Sequence, residues 1–184
     1  MTRLSVLFWN GFFVDNIMFI YFLGVLLAFV EAKSLKKSFS KGLKFAVSLF
    51  SVSILGWILT NSLTSELGFL NIWIFFITSY IAIHFLQKNG ELIGEWQGMP
   101  RMILALPSMI GLQLLIQNRA ADLAEMIAIS GGSSLAFYVS FIVVAALREQ
   151  ILTSEADSIF KQGSSLLLAM GLLALALIGF QFFV

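Results

Sequence analysis

A few polar side chains inside long apolar segments are the residues that could do chemistry. Asp15 and Asn16 interrupt the first apolar segment, Gln113 lies in the fourth, and His84 lies near the end of the third. A charged side chain at mid-membrane depth is costly, so an ionisable residue there is a functional candidate by default. We therefore take Asp15, Asn16 and Gln113 as candidates for an ion path.

Each of these residues also has a structural interpretation. Asp15 could cap a helix start or pair with a polar group of a neighbouring subunit, since Asp and Asn are good N-cap residues. The Gln113 amide could join two helices by hydrogen bonds, which is common in membrane proteins. For His84, an interfacial or core position is favoured over a role as a ligand or proton relay.

The composition excludes several kinds of chemistry. The chain has no cysteine and one histidine, so it offers no disulfide, no thiolate nucleophile and none of the usual zinc or iron–sulfur ligand sets. Its 11 basic and 10 acidic residues give no argument for a nucleic-acid partner. No phosphate-loop, dinucleotide or zinc-protease motif is present. We expect the chain to bind no metal or cofactor and to catalyse nothing alone.

The elements that position these residues are membrane spans. The chain is 59% hydrophobic and 11% charged, with a mean hydropathy of +0.96, which predicts an all-α integral membrane fold. A spanning helix takes about 20 residues, so the 184 residues form a single polytopic domain with room for six spans. The expected spans are 4–30, 45–63, 67–86, 102–116, 126–147 and 163–184.

Two features modify this simple series of spans. A lysine-rich loop is expected between the first two spans. The fourth span is short and contains Pro107 and Gly111, and Gly/Pro-interrupted short segments are typical of half-helices. The fifth begins with five small residues, 130–134, which permit close helix packing.

The basic residues are distributed unevenly between the two ends of the spans. Nine of the 11 lie in the first, third and fifth loops, at 31–44, 87–101 and 148–162. Only Arg3 and Arg119 lie on the other side. The positive-inside rule therefore predicts that both termini lie outside the cytoplasm.

Several segments resemble one family along the length of the chain. FFVDNIMFIYFLG (12–24) and KSLKKSFSKG (33–42) are similar to the first span and loop of the A/E-type membrane subunits of bacterial Rnf and Nqr electron-transport complexes. AALREQI (145–151) and FKQGSSLLLAMGLLALALIGF (160–180) resemble the end of their fifth span and their sixth span.

The resemblance implies a fold and a setting. It implies six helices built as two inverted three-helix repeats, with half-helices in spans one and four, beside a paralogous six-helix partner subunit in the bacterial inner membrane. It also implies a complex that moves electrons from NADH or ferredoxin through flavins and iron–sulfur centres of other subunits, coupled to sodium or proton translocation.

The resemblance also exposes one departure. In the family, a cysteine in each half-helix helps to hold a [2Fe–2S] cluster, and the matching positions here are Leu26 and Gln113. Leucine has no donor atom and a neutral amide is a poor substitute for a thiolate. We expect a subunit that serves as a helix scaffold and possible ion path without ligating a cluster itself.

Two other functions fit the same span pattern. A small substrate-binding membrane component of a vitamin transporter would need an outward pocket, to which Trp73, Tyr80 and Tyr138 could contribute. The competing interpretation places these rings in the interfacial aromatic belts. The third hypothesis is a non-redox assembly subunit that seals an interface between active partners.

Overall fold

The computed structural model describes residues 3–32, 34–63, 68–89, 95–96, 99–153 and 163–179. This part of the chain is mostly helical. Seven α-helices follow one another along it: α1 (Arg3–Trp9), α2 (Val25–Glu31), α3 (Leu35–Leu63), α4 (Asn71–Lys88), α5 (Leu106–Arg119), α6 (Leu123–Thr153) and α7 (Gly163–Gly179). A π-helix (Asn10–Val14), two 3-10 turns (Gly68–Leu70, Arg101–Leu104) and a short antiparallel pair, β1 (Glu95–Trp96) with β2 (Met99–Pro100), complete it.

Three of these helical segments are long and apolar enough to cross a membrane. They are Leu35–Leu63, Gly68–Lys88 and Leu123–Ile151, and Ser164–Gly179 is a shorter apolar helix. Large apolar side chains on them are exposed, for example Trp73 at 64% and Leu175 at 66%. Apolar surface of this extent on helices of this length fits a multi-pass membrane protein and confirms the all-α integral membrane class.

The second helix begins earlier than the span that the sequence predicts. Helix α3 starts at Leu35, ten residues before position 45, so Lys36, Lys37, Lys41 and Lys44 lie on its first three turns and not in a loop. Lysine stems can lie along apolar surface while the ammonium group reaches water. Charge therefore ended the predicted span where the helical backbone continues.

The first and fourth apolar segments are not single continuous helices. In the first, α1 and the π-helix are separated from α2 by ten residues of irregular backbone, 15–24. In the fourth, a 3-10 turn precedes α5, and Pro107 lies in the first turn of α5, where a missing backbone N–H costs nothing. Gly111 lies within α5 without breaking it.

The helices pack in a pattern that relates the two halves of the chain. Helices α3 and α6 pack along each other at the centre. Helix α1 and the π-helix pack on α6, and α5 packs on α3. Helix α4 packs on α3 as α7 packs on α6. The core between them is apolar, with Phe45 and Phe141 both almost completely buried.

Glycines allow the first segment to approach α6 closely. A Cβ on Gly132 would collide with the backbone carbonyl of Phe8, and a Cβ on Gly11 would lie 3.0 Å from the Ile129 carbonyl oxygen. The small residues at the start of the fifth segment therefore do bring two helices together, as expected for such a cluster. By contrast, a Cβ at Gly171 on α7 would meet nothing within 4 Å in the described structure.

Candidate functional site

The break in the first segment is stabilised by Asn16. Its side-chain oxygen accepts hydrogen bonds from the backbone N–H groups of Met18 (3.1 Å) and Phe19 (3.0 Å), and its amide nitrogen donates to Ser140 Oγ on α6 at 3.2 Å. Buried backbone donors need such partners where the helix is interrupted. The chain resumes helical form after Gly24, whose φ of +84° suits glycine.

Asp15 is paired within the chain. Its carboxylate is 5% exposed and receives two hydrogen bonds from Arg119 at the end of α5, with Nη1 to Oδ2 and Nη2 to Oδ1 both 3.0 Å. The Tyr21 hydroxyl donates to Oδ1 at 3.1 Å. Two-point pairing with a guanidinium compensates a buried carboxylate better than a single contact does. The pair joins the first segment to the fourth.

Gln113 lies at a junction of three helices. The side chain is 2% exposed, and Oε1 accepts a hydrogen bond from Thr78 Oγ1 on α4 at 2.9 Å. Its Nε2 donates to Ser79 Oγ at 2.9 Å and to the Phe75 and Met109 carbonyl oxygens at 3.3 Å. On the α3 side, a Cβ at Gly56 would collide with Oε1. Both ends of the amide therefore have partners from the protein.

Leu26 lies in different surroundings. It is the second residue of α2 and its side chain is 55% exposed. Just before it, the chain crosses α5: a Cβ on Gly24 would lie 3.1 Å from Ser108 Cβ, and one on Gly111 would collide with Leu23. The structure thus brings the two broken segments together at residues 23–24, but it directs the Leu26 and Gln113 side chains to different environments.

These two residues do not fit the [2Fe–2S] cluster that the family resemblance implies. Leu26 has no donor atom, and the Gln113 amide is already bonded to Thr78 and Ser79. Among the described residues, no three His, Cys, Asp or Glu side chains form a group that could hold a metal ion. Iron in such clusters is held by thiolates or, less often, imidazoles. The side chains of this site can hydrogen-bond and pair charges.

Charged side chains also meet at both ends of the bundle. At one end, Glu31, which is 4% exposed, pairs with Lys41 and, at 3.2 Å, with Arg101. Arg148 there donates to the Phe29 carbonyl oxygen. At the other end, Arg3 pairs with Glu125 at 2.7 Å. Residues expected in or beside the first, third and fifth loops therefore meet at one end.

The remaining candidates are spread over the surface and the core. Trp73 and Tyr80 lie exposed on α4, as does His84. Tyr138 on α6 packs edge-on against Phe39, with ring centroids 6.5 Å apart. The three aromatic residues proposed for a transporter pocket therefore face different surroundings.

Several partners of the candidate residues were missed by sequence reasoning. Thr78, Ser79 and Gly56 surround Gln113, and Arg119 neutralises Asp15. A signal existed for Arg119, because it is one of only two basic residues on its side of the spans and Asp15 is an acid inside one. The Thr–Ser pair carries no such signal, since hydroxyls are common in spans.

The fold and these pairs define a polytopic membrane protein with a broken first span and, in the part of the chain that the structure describes, no ligand set for a metal. A family model described as "Rnf-Nqr subunit, membrane protein" matches residues 4–184, and the chain belongs to this family. The chain is 24% identical to a subunit of the ion-translocating oxidoreductase complex of Pasteurella multocida (strain Pm70), and 23% identical to the subunit of the same name from Yersinia pestis (strain Pestoides F). Each alignment covers 98% of this chain and 97% of the relative.

Proposed function

We propose that the chain is a membrane subunit of an ion-translocating electron-transport complex of the Rnf/Nqr type in a bacterial inner membrane, and that it ligates no iron–sulfur cluster itself. Its family and the names of its relatives support membership of such a complex. The observation that carries the second part is the Gln113 amide, which the protein's own groups occupy on both sides. Flavin and iron–sulfur centres then belong to partner subunits.

The proposed topology is six spans in two inverted three-helix repeats. The first repeat contains the broken first segment, α3 and α4, and the second contains α5 with its preceding turn, α6 and α7. The packing supports this, because each broken segment packs on the long helix of the other half. Exchanging the halves leaves the neighbours of every element the same, as expected for a repeat pair.

The proposed orientation puts both termini on the outer side. The meeting of Glu31, Lys41, Arg101 and Arg148 at one end supports it, since these residues come from successive loops that alternate topology would place together. That end carries the excess of lysine and arginine, which marks the cytoplasmic side.

We propose that a paralogous six-helix subunit covers the broken first segment. Tyr21, Phe22 and Leu26 are 46%, 47% and 55% exposed, and Phe22 has a φ of +56°. Irregular backbone at membrane depth occurs where it is buried in protein or lines a water-filled cavity. An apolar partner surface would supply that burial.

An ion path through this chain would follow the polar residues Asp15, Asn16 and Gln113. Support comes from α6, where the Ser133 and Ser134 hydroxyls are buried and have no hydrogen-bond partner in the described structure. They lie on the helix that Asn16 contacts through Ser140. Hydroxyl, amide and carboxylate oxygens are the ligands that a hard cation prefers. The Asp15–Arg119 pair would have to open for the carboxylate to take part.

Iron analysis and electron paramagnetic resonance of the purified complex test the proposal. Gln113→Leu and Leu26→Ala change the two family ligand positions. Gln117→Leu is a matched control, because Gln117 lies one turn further along α5 and also accepts from a threonine, Thr60. We expect the same iron content and the same [2Fe–2S] signal in all variants. Loss of the signal in Gln113→Leu or Leu26→Ala, but not in Gln117→Leu, would contradict the proposal.

Membership of the complex has its own test. Affinity purification of the tagged chain from its native membrane is expected to recover flavin-carrying and iron–sulfur subunits. Recovery of an ATPase and a coupling subunit in their place would support the transporter hypothesis. Substituting Asp15 by Asn in the intact complex separates ion path from scaffold, because unchanged ion transport and electron flow indicate a scaffold.

A further inference from the structure

A long apolar groove lies between α3 and α4, away from the broken segments. It encloses about 770 Å³. Most of its walls are apolar side chains that are exposed, such as Val47 at 57%, Ile81 at 62% and Phe85 at 65%. The described residues that line it all come from α3, α4 and the residue that ends α4. The groove is therefore open to the side of the bundle that faces lipid.

The polar groups within the groove need no polar occupant. Ser51 Oγ donates to the Val47 carbonyl oxygen at 2.9 Å, and Thr78 Oγ1 is bonded to the Ile74 carbonyl and to Gln113. Hydroxyls that are satisfied by the protein present little polarity to a neighbour. An occupant of the middle of the groove should therefore be a hydrocarbon chain.

The groove has the length of one bilayer leaflet. On α3 it runs from Leu43 to Leu55, which at about 1.5 Å per residue is about 18 Å. On α4 it runs from Asn89 back to Thr78. The hydrocarbon core of a bilayer is about 30 Å thick, so one leaflet is about 15 Å. The groove matches a single acyl chain in depth.

Charge distinguishes the two ends of the groove. Lys44 and Asn89 lie at one end, whereas the deep end is formed by Leu55 and Thr78. Exposed Lys36 and Lys37 lie on the two turns of α3 that precede the groove. This is the end of the bundle at which Glu31, Lys41 and Arg101 meet. Basic groups beside a cleft between membrane helices suit an anionic headgroup.

We propose that the groove between α3 and α4 is a binding site for one anionic phospholipid, with an acyl chain between the helices and the headgroup phosphate at Lys44 and Asn89. The proposal does not rest on electron transfer or ion translocation. It rests on the orientation of the lysine-rich end toward a membrane surface. The lipid fills the space between two helices whose outer parts contact little else in the described chain.

The acyl part is tested by filling the groove. Ala82→Phe places a ring inside it, and Ala176→Phe is the matched control on the exposed surface of α7. Both complexes are purified in detergent, and retained lipids are extracted and quantified by mass spectrometry. We expect about one anionic phospholipid per complex to be lost in Ala82→Phe and kept in Ala176→Phe. Equal lipid retention in the two variants and wild type would overturn the proposal, and size-exclusion profiles report whether each variant assembles.

The headgroup part is tested by charge. Lys44→Gln removes the cation at the groove, whereas Lys37→Gln removes an exposed cation from the same helix outside the groove. In titrations with phosphatidylglycerol in phosphatidylcholine nanodiscs, we expect Lys44→Gln to weaken binding about fivefold, the factor for one basic group near an anionic surface. An equal effect of the two substitutions would show a diffuse surface charge and would overturn the site.

A photoreactive residue at position 85 identifies the occupant directly. Phe85 lines the groove and is 65% exposed. Irradiation of the native complex with benzoylphenylalanine at this position is expected to add the mass of a phospholipid to the chain. A cross-link to another subunit would overturn the proposal and show that a partner helix occupies the groove.

Discussion

Gly56 on α3 and Gln113 on α5 form a matched pair: the glycine leaves the space that the amide oxygen fills, and a Cβ at position 56 would collide with that oxygen. The same oxygen accepts from Thr78, and the amide nitrogen donates to Ser79. A glycine in the interior of a helix is otherwise unfavourable. Here it allows three helices to share one buried amide.

Gly56→Ala is expected to destabilise the subunit, because the added methyl group would push Gln113 away from Thr78 and Ser79. A buried amide without its partners costs about 1–3 kcal/mol. In a Gln113→Ala background the same Gly56→Ala change should cost at least about 1 kcal/mol less, since the two residues are coupled. Thermal unfolding of the four proteins measures this cycle. Gly171→Ala, with open space around it, is the control, and additive effects at 56 and 113 would contradict the pairing.

The Asp15–Arg119 pair predicts a rescue. Asp15→Asn leaves the guanidinium opposite a neutral amide, and Arg119→Gln leaves a buried carboxylate uncompensated; each should lower the unfolding temperature. Arg119→Gln should cost more, because Asp15 is buried and the Arg119 side chain is 47% exposed. The double variant Asp15→Asn/Arg119→Gln should recover part of the loss.

Ion transport in the same variants gives an independent result. If the carboxylate serves only to join the first and fourth segments, transport in the double variant should recover along with stability. If stability recovers and transport does not, the carboxylate itself contacts the ion. Sodium or proton uptake by proteoliposomes containing the whole complex measures the difference.

The crossing of α1 and α6 can be tested with two neighbouring glycines. Gly132→Ala places a methyl group against the Phe8 carbonyl, which is backbone and cannot move aside cheaply. Gly131→Ala meets only the Phe8 ring, at 3.7 Å. We expect Gly132→Ala to lower the unfolding temperature by several degrees and to expose the N-terminal segment to protease, and Gly131→Ala to do neither. Similar behaviour of both variants would contradict the close crossing.

The absence of cysteine makes the orientation simple to measure in this chain. Ser62→Cys places a thiol at the exposed end of α3, and Lys37→Cys places one near its start. With both termini outside, a membrane-impermeant maleimide should label position 62 in intact cells and position 37 only after permeabilisation. The reverse pattern would invert the proposed topology. The unsubstituted chain controls for background labelling.

Much of the architecture follows from local sequence properties, and much of the site does not. Apolar composition predicts membrane helices, and Asp15–Asn16 marks the break in the first of them. The partner of Asp15 is 104 positions away, and that of Gln113 is 35 positions away. No periodicity specifies which hydroxyl or guanidinium meets a given polar group, because helix packing decides it. The lysines misled in the opposite direction, since charge marks where lipid ends and not where a helix ends.

The amide at position 113 carries one further consequence. A carboxamide gains or loses neither a proton nor an electron under the conditions in which such complexes work, so its hydrogen bonds to α4 persist regardless of how reduced or acidic the surroundings become. The junction of α3, α4 and α5 is accordingly a fixed hub whose shape does not report the electrical state of its neighbours. Any rearrangement during turnover must then pivot around this hub or bypass it.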